Sequence, residues 1–150
     1  MKKHSKAIKI TAIVAVVSTL CSCLHTAGDR VVTPEEYGYA VGTAAYIGYY
    51  RIASRKDDSF REKVETVWAA VNEIDSTDTL ASDVARIAAQ FAAVEDDEAL
   101  TAPEKAALNA LAHMVLARVD GKLADQAMSQ ADAVAFLKGV RDGVNAAAGL

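Results

Sequence analysis

The sequence predicts an all-α protein, a small and alanine-rich bundle of about five helices. Apolar residues make up 52% of the 150 residues, which is enough to build a packed core. Several segments repeat apolar residues at the three- and four-residue spacing of a helix. No segment alternates apolar and polar residues over a useful length, so no sheet is expected.

Capping signals place the helices along the chain. The first helix begins after Thr33, where Pro34 and Glu36 complete the pattern of a capping box, and it runs to about residue 53. The others are predicted at about 60–74, 80–95, 102–119 and 130–147. Three of them have a hydroxyl residue at the expected start: Ser59, Thr101 and Ser129.

Two of the predicted helices are apolar around their whole circumference, whereas the others are amphipathic. No charged residue occurs from 37 to 50, or from 106 to 117. Because a helix that is apolar on every side is usually buried on every side, we expect these two at the centre of the bundle. The amphipathic helices would then surround them.

Gly38 and Gly42 form a G-x-x-x-G pair in the first helix. Small residues at this spacing let two helix backbones approach closely. We interpret the pair as packing within the chain, and helix dimerisation in a membrane is the alternative. The pair is not a nucleotide-binding loop, because no strand precedes it and no G-K-[ST] follows.

The N-terminus has the pattern of a secretory signal peptide. Four lysines, all before residue 10, are followed by an uncharged apolar stretch over 10–20. Crossing roughly 30 Å of hydrocarbon needs about 20 apolar residues, so this stretch is too short to span a membrane. An uncleaved anchor or a buried helix over 10–24 is the alternative.

The segment Leu20-Cys21-Ser22-Cys23 resembles the lipobox of bacterial lipoprotein precursors. In that motif a leucine and two small residues precede the cysteine that receives lipid. The resemblance covers only the first 23 residues and implies a processing route rather than a fold. It implies that Cys23 carries acyl chains, palmitate among them, and becomes the first residue of the mature protein.

The same resemblance implies a domain organisation and a location. Residues 1–22 would be the signal peptide, 23–33 the lipidated cysteine and tether, and 34–150 the helical domain. Residue 24 is leucine rather than aspartate. This implies the outer membrane, facing the periplasm, if the host is Gram-negative.

The charge of the chain limits its partners. Beyond residue 22 there are 12 basic and 20 acidic residues, which gives a net charge of −8. An anion of this size repels nucleic acid, so we expect no nucleic-acid partner. The expected attachment to the membrane is through the acyl chains on Cys23.

Few residues offer catalytic or metal-binding chemistry. His113 is the only histidine beyond the tether, and no second ligand lies three or four positions from it, so we interpret it as a buried or half-buried structural residue. The acidic run 95–98 is interpreted as a solvated loop, with a calcium site as the alternative. Trp68 is assigned to the core. We expect no metal, no cofactor and no enzymatic activity.

All five tyrosines lie in the first predicted helix. Tyr39, Tyr46 and Tyr50 fall within about 40° of one another around the helix axis. This stripe is either a contact surface for a partner or ligand, or aromatic filler in an alanine-rich core, and we favour the filler.

These observations favour a lipid-anchored protein of the cell envelope that acts as a non-enzymatic interaction or scaffolding module. Its expected partner is an envelope protein, and its oligomeric state stays open. Two alternatives also stay open: a carrier of a lipid or other hydrophobic ligand, and a blocker of an envelope target encoded by a phage or mobile element.

Overall fold

A computed structural model describes residues 32–74, 79–119 and 129–150. In these ranges the chain forms five α-helices and no strand, which confirms the predicted all-α bundle. The helices are α1 (Pro34–Ala53), α2 (Asp58–Asn72), α3 (Leu80–Glu95), α4 (Ala102–Leu116) and α5 (Gln130–Ala148). The predicted signal peptide and lipobox lie outside the described residues, as does the predicted tether up to residue 31.

Side-chain caps define where most of the helices begin. The Thr33 hydroxyl accepts a hydrogen bond from the Glu36 amide at 3.2 Å, and the Glu36 carboxylate accepts one from the Thr33 amide at 3.1 Å. Ser129 caps α5 by accepting from the amide of Asp132. These two predicted caps are therefore confirmed.

The predicted N-cap of α2, Ser59, is wrong, although the helix lies within two residues of its predicted bounds. Its N-cap is Asp57, whose carboxylate accepts from the Phe60 amide at 2.9 Å. Aspartate is as good an N-cap as serine, and it comes two residues earlier. The helix therefore begins at Asp58 and includes Ser59.

Helices α1 and α5 run parallel in close contact, and glycines on both make this possible. Gly38 and Gly42 of α1 lie against the α5 backbone, while Gly139 and Gly143 of α5 lie against the α1 backbone. A Cβ atom on any of the four would overlap a main-chain carbonyl of the facing helix. The interpretation of Gly38 and Gly42 as packing within the chain is confirmed.

Helix α1 is central, because it contacts α2, α4 and α5. Contrary to the expectation of burial on every side, α1 exposes Tyr39, Ile47 and Tyr50, and α4 has an exposed face that includes Ala110 and His113. An uncharged helix surface can still face water, since a single alanine methyl group costs little there. His113 is thus exposed, not buried or half-buried as predicted.

One residue of the acidic run 95–98, Asp97, is held in an ion pair rather than simply solvated. Lys63 of α2 bonds the Asp97 carboxylate at 2.5 Å, and the Asp97 carboxylate also accepts from the Ala99 amide. Lys56 bonds Glu104 at 2.8 Å and the Ala99 carbonyl at 2.7 Å. Two lysines therefore fasten the α3–α4 loop to α2 and the loop before it.

Within the described ranges, none of the helices has both the length and the apolar character needed to cross a membrane.

Candidate functional site

The structure assigns the five tyrosines of α1 to two environments. Tyr49 is fully buried, and its hydroxyl donates to the Leu108 carbonyl of α4 at 3.3 Å. Burial, together with the charge of Glu95, raises the pKa of Tyr49 far above its ordinary value. Tyr37 packs against Phe136 of α5, with the ring centroids 5.8 Å apart. These two tyrosines contact neighbouring helices of the bundle.

The predicted stripe of Tyr39, Tyr46 and Tyr50 faces outward. Tyr39 is 46% exposed, Tyr50 is 59% exposed, and Tyr46 is half-buried. Ile47, on the same side of the helix, is 42% exposed. The favoured interpretation of the stripe as core filler is therefore wrong for Tyr39 and Tyr50. A contact role for the stripe stays a prediction.

An open groove of about 380 Å³ lies between the second half of α1 and one face of α2. Aromatic, aliphatic and polar side chains line it: Tyr46, Tyr50, Ala53, Ser54, Arg61, Val64, Glu65 and Trp68. Tyr46 stacks on Tyr50 with centroids 6.0 Å apart and an interplanar angle of 12°. Tyr46 also contacts Trp68, with the two ring centroids 5.8 Å apart. Three rings thus form a continuous aromatic wall.

Two charged groups face the groove, and within the described residues only one of them has partners. The Arg61 guanidinium pairs with the Asp58 carboxylate at 2.9 Å and donates to the Ala53 carbonyl at 3.3 Å. Glu65 is exposed and makes no hydrogen bond or ion pair with any residue that the structure describes. Glu65 is therefore the charged group of the groove that has no partner among the described residues.

Trp68 connects the groove to the core. Its ring meets Tyr49 and Phe91 edge to face, at centroid distances of 5.5 and 6.0 Å. The side chain is only 6% exposed, as its assignment to the core predicted. Its indole N–H is buried, and in the described part of the chain it has no hydrogen-bond acceptor. Buried N–H groups normally have a partner, so this one is an exception.

The sequence predicts a possible contact role for Tyr46 and Tyr50, but it does not predict the wall of the groove that α2 forms. That wall consists of residues 61, 64, 65 and 68, which share one helix face at the three- and four-residue spacing. The short connection between α1 and α2 makes the two helices neighbours. The spacing of these α2 residues is therefore visible in the sequence. Predicting the groove from it also requires knowing which face of α1 lies opposite.

The groove cannot be compared with a site in a related protein. No family model, curated protein or solved structure matches this chain. Over the described ranges, no group of three or more histidine, cysteine or acidic residues is placed to hold a metal ion. The exposed face of α1 and the groove beside it are therefore the features of the molecule that bear on its function.

Proposed function

We propose that this chain is a lipid-anchored protein of the bacterial cell envelope whose helical domain binds another protein and catalyses no reaction. The observation that carries the proposal is the exposed face formed by Tyr39, Ile47 and Tyr50 of α1. Among the described residues, the only other large apolar side chain with comparable exposure is the C-terminal Leu150. Tyrosines of this kind are enriched where proteins contact one another, because they combine apolar area with a hydroxyl.

The predicted anchor supports the proposed binding role, because α1 is the first helix after the predicted tether. Residues 24–33 can extend at most about 33–36 Å. Acyl chains on Cys23 would thus hold the exposed face close to the bilayer surface. Confinement of this kind raises the local concentration of a partner in the same membrane, so a modest contact surface suffices.

The groove favours binding over catalysis. Nucleophilic catalysis needs a nucleophile and a base within hydrogen-bond reach of each other. Glu65 is the groove's unpaired carboxylate, and no hydroxyl or thiol is bonded to it in the described ranges. Two of the groove's other polar side chains are already engaged, since Ser54 donates to the Arg51 carbonyl and Arg61 pairs with Asp58.

Crosslinking in cells tests the proposal. A photo-crosslinking amino acid is placed at Tyr39 or at Tyr50 in the full chain, and at the exposed His113 as a control on another helix. We expect a discrete protein adduct from the two α1 positions and none from His113. The Cys23→Ala form should lose both the adduct and the incorporation of labelled palmitate.

Three results would count against this function. Equal adducts from all three positions would show that the α1 face has no special role. Wild-type protein that incorporates no labelled palmitate would contradict the lipid anchor. A small molecule that co-purifies in stoichiometric amount, seen by native mass spectrometry, would favour a carrier instead.

A further inference from the structure

We propose that the groove between α1 and α2 selects the partner, and that it takes an exposed basic segment of polypeptide, a lysine or arginine side chain with its flanking main chain. The inference rests on the interaction role proposed above and names the chemistry of the partner. Three observations carry it: the aromatic wall of the groove, the carboxylate of Glu65, and the indole N–H of Trp68, the last two being without a partner among the described residues.

The aromatic wall favours a cation. The faces of tyrosine and tryptophan rings carry partial negative charge, and a cation within about 6 Å of a ring centroid is attracted to them. Tyr46, Tyr50 and Trp68 all line the groove. A lysine or arginine side chain laid along this wall would also bury its apolar stem against the rings.

Charge favours the same ligand. The Arg61 guanidinium is paired with Asp58 and bonded to the Ala53 carbonyl, whereas Glu65 has no partner in the described residues. A cation in the groove would pair with Glu65, and an anionic ligand would be repelled by it. The net charge of −8 beyond residue 22 also steers basic segments toward the protein.

The indole N–H of Trp68 favours a polypeptide over a small cation as the ligand of the groove. Its buried N–H has no acceptor among the residues that the structure describes, and a main-chain carbonyl is the acceptor that any peptide carries beside its side chain. The N–H is closed to water in the free protein, so an acceptor reaches it only when the side chains around it move. The volume of about 380 Å³ lies at the small end of the range for ligand pockets, which suits one side chain and its flanking main chain.

The emission of Trp68 provides the readout, since this is the only tryptophan in the chain. The full chain in detergent micelles is titrated with a blocked pentapeptide that has a central arginine. The comparison ligand has citrulline in that place, which keeps the shape and removes the charge. We expect saturable emission changes, with the arginine peptide binding about fivefold more tightly.

Matched variants locate the binding. Glu65→Gln should weaken the arginine peptide about fivefold, whereas Glu62→Gln, an exposed glutamate on the same helix but outside the groove, should not. Tyr50→Ala should weaken it, and Tyr39→Ala should not. All four residues are exposed, so the variants keep the fold, and circular dichroism checks this.

The outcomes separate this inference from the function proposed above. Equal affinity for the two peptides, equal effects of Glu65→Gln and Glu62→Gln, or no saturation up to about 10 mM peptide would overturn the inference. Persistent crosslinks from Tyr39 and Tyr50 in that case would leave the interaction role standing. An emission change with phosphatidylcholine vesicles but not with peptide would also overturn it, because it would point to a lipid surface. Loss of palmitate labelling alone would remove the anchor and leave the groove's ligand intact.

Discussion

Gly143 of α5 lies against the main-chain carbonyl of Tyr39 on α1, with no space between them for a Cβ atom. Gly42 lies in the same way against the carbonyl of Val140. The facing groups are backbone in both cases, so they cannot move aside as a side chain would. The parallel contact between α1 and α5 therefore depends on glycine at these positions.

We predict that Gly42→Ala destabilises the fold, because an overpacked core usually costs about 1–3 kcal/mol. Alanine's better helix propensity, about 1 kcal/mol, offsets the lower end of this cost, so we expect a net loss of up to about 2 kcal/mol. Gly48→Ala is the matched control on the same helix, because its new methyl group meets the side chain of Leu111, which can turn away. Urea denaturation followed by circular dichroism should show the larger loss for Gly42→Ala. Equal losses would contradict the close contact.

The hydroxyl of Thr43 joins the same two helices. It lies 2.9 Å from the Tyr39 carbonyl and 3.2 Å from the Gly143 carbonyl of α5, and can donate to either. We predict that Thr43→Val lowers the free energy of unfolding by about 1 kcal/mol, because it keeps the shape and removes the donor. Thr43→Ser should retain most of the stability. A serine variant as unstable as the valine variant would show that the methyl group, not the hydroxyl, matters.

Burial of Tyr49 predicts a dependence of stability on alkaline pH. Its pKa in the folded chain is raised above the ordinary value of 10.0 by burial and by the charge of Glu95. Above pH 10 the unfolded chain releases this proton first, so the contribution of Tyr49 is complete below pH 10 and is lost as the pH rises further. Tyr49→Phe should cost about 1 kcal/mol at neutral pH through the lost bond to Leu108.

The same substitution should make the protein less sensitive to alkali. The stability difference between wild type and Tyr49→Phe is expected to shrink above pH 10 in urea titrations. The exposed Tyr39, changed to phenylalanine, is the control and should leave the pH profile unchanged. A difference that stays constant to pH 11 would mean that Tyr49 is not buried as the structure has it.

Local signals predicted the helices well, and tertiary relationships explain what they missed. The capping box at Thr33 and Glu36 is a contact between residues three apart, so the sequence alone reveals it. The choice between Asp57 and Ser59 as the cap of α2 was harder, because both residue types are good caps. Local preference could not rank them.

The partner of α1 could also have been found. Gly139 and Gly143 repeat in α5 the G-x-x-x-G spacing that Gly38 and Gly42 have in α1. Two such pairs in one chain indicate that their helices pack together, because each pair allows a close approach of a second backbone. The exposed face of α1 was less accessible to prediction. Which tyrosines face water depends on where the neighbouring helices end, and no local pattern carries that information.

The ion pair between Lys63 and Asp97 predicts a dependence of stability on acid. The hydrogen bonds from Lys63 and from the Ala99 amide lower the pKa of the Asp97 carboxyl below its ordinary value of 3.8. As the pH falls, the unfolded chain therefore takes up this proton before the folded chain does. The stabilisation is complete above pH 3.8 and is lost as the pH falls through the lower folded value.

Asp97→Asn should therefore be less stable than the wild type at neutral pH, and the difference should shrink below pH 3.8. The effect should be smaller than that of Gly42→Ala, because ion pairs near the surface contribute little. Asp96→Asn is the control, since Asp96 is exposed and has no ion pair among the described residues. Urea midpoints measured from pH 7 to about pH 2.5 follow both variants. If Asp96→Asn lowered the midpoint as much as Asp97→Asn, the α3–α4 loop would respond to charge in general, and Lys63 would not be fastening it through Asp97.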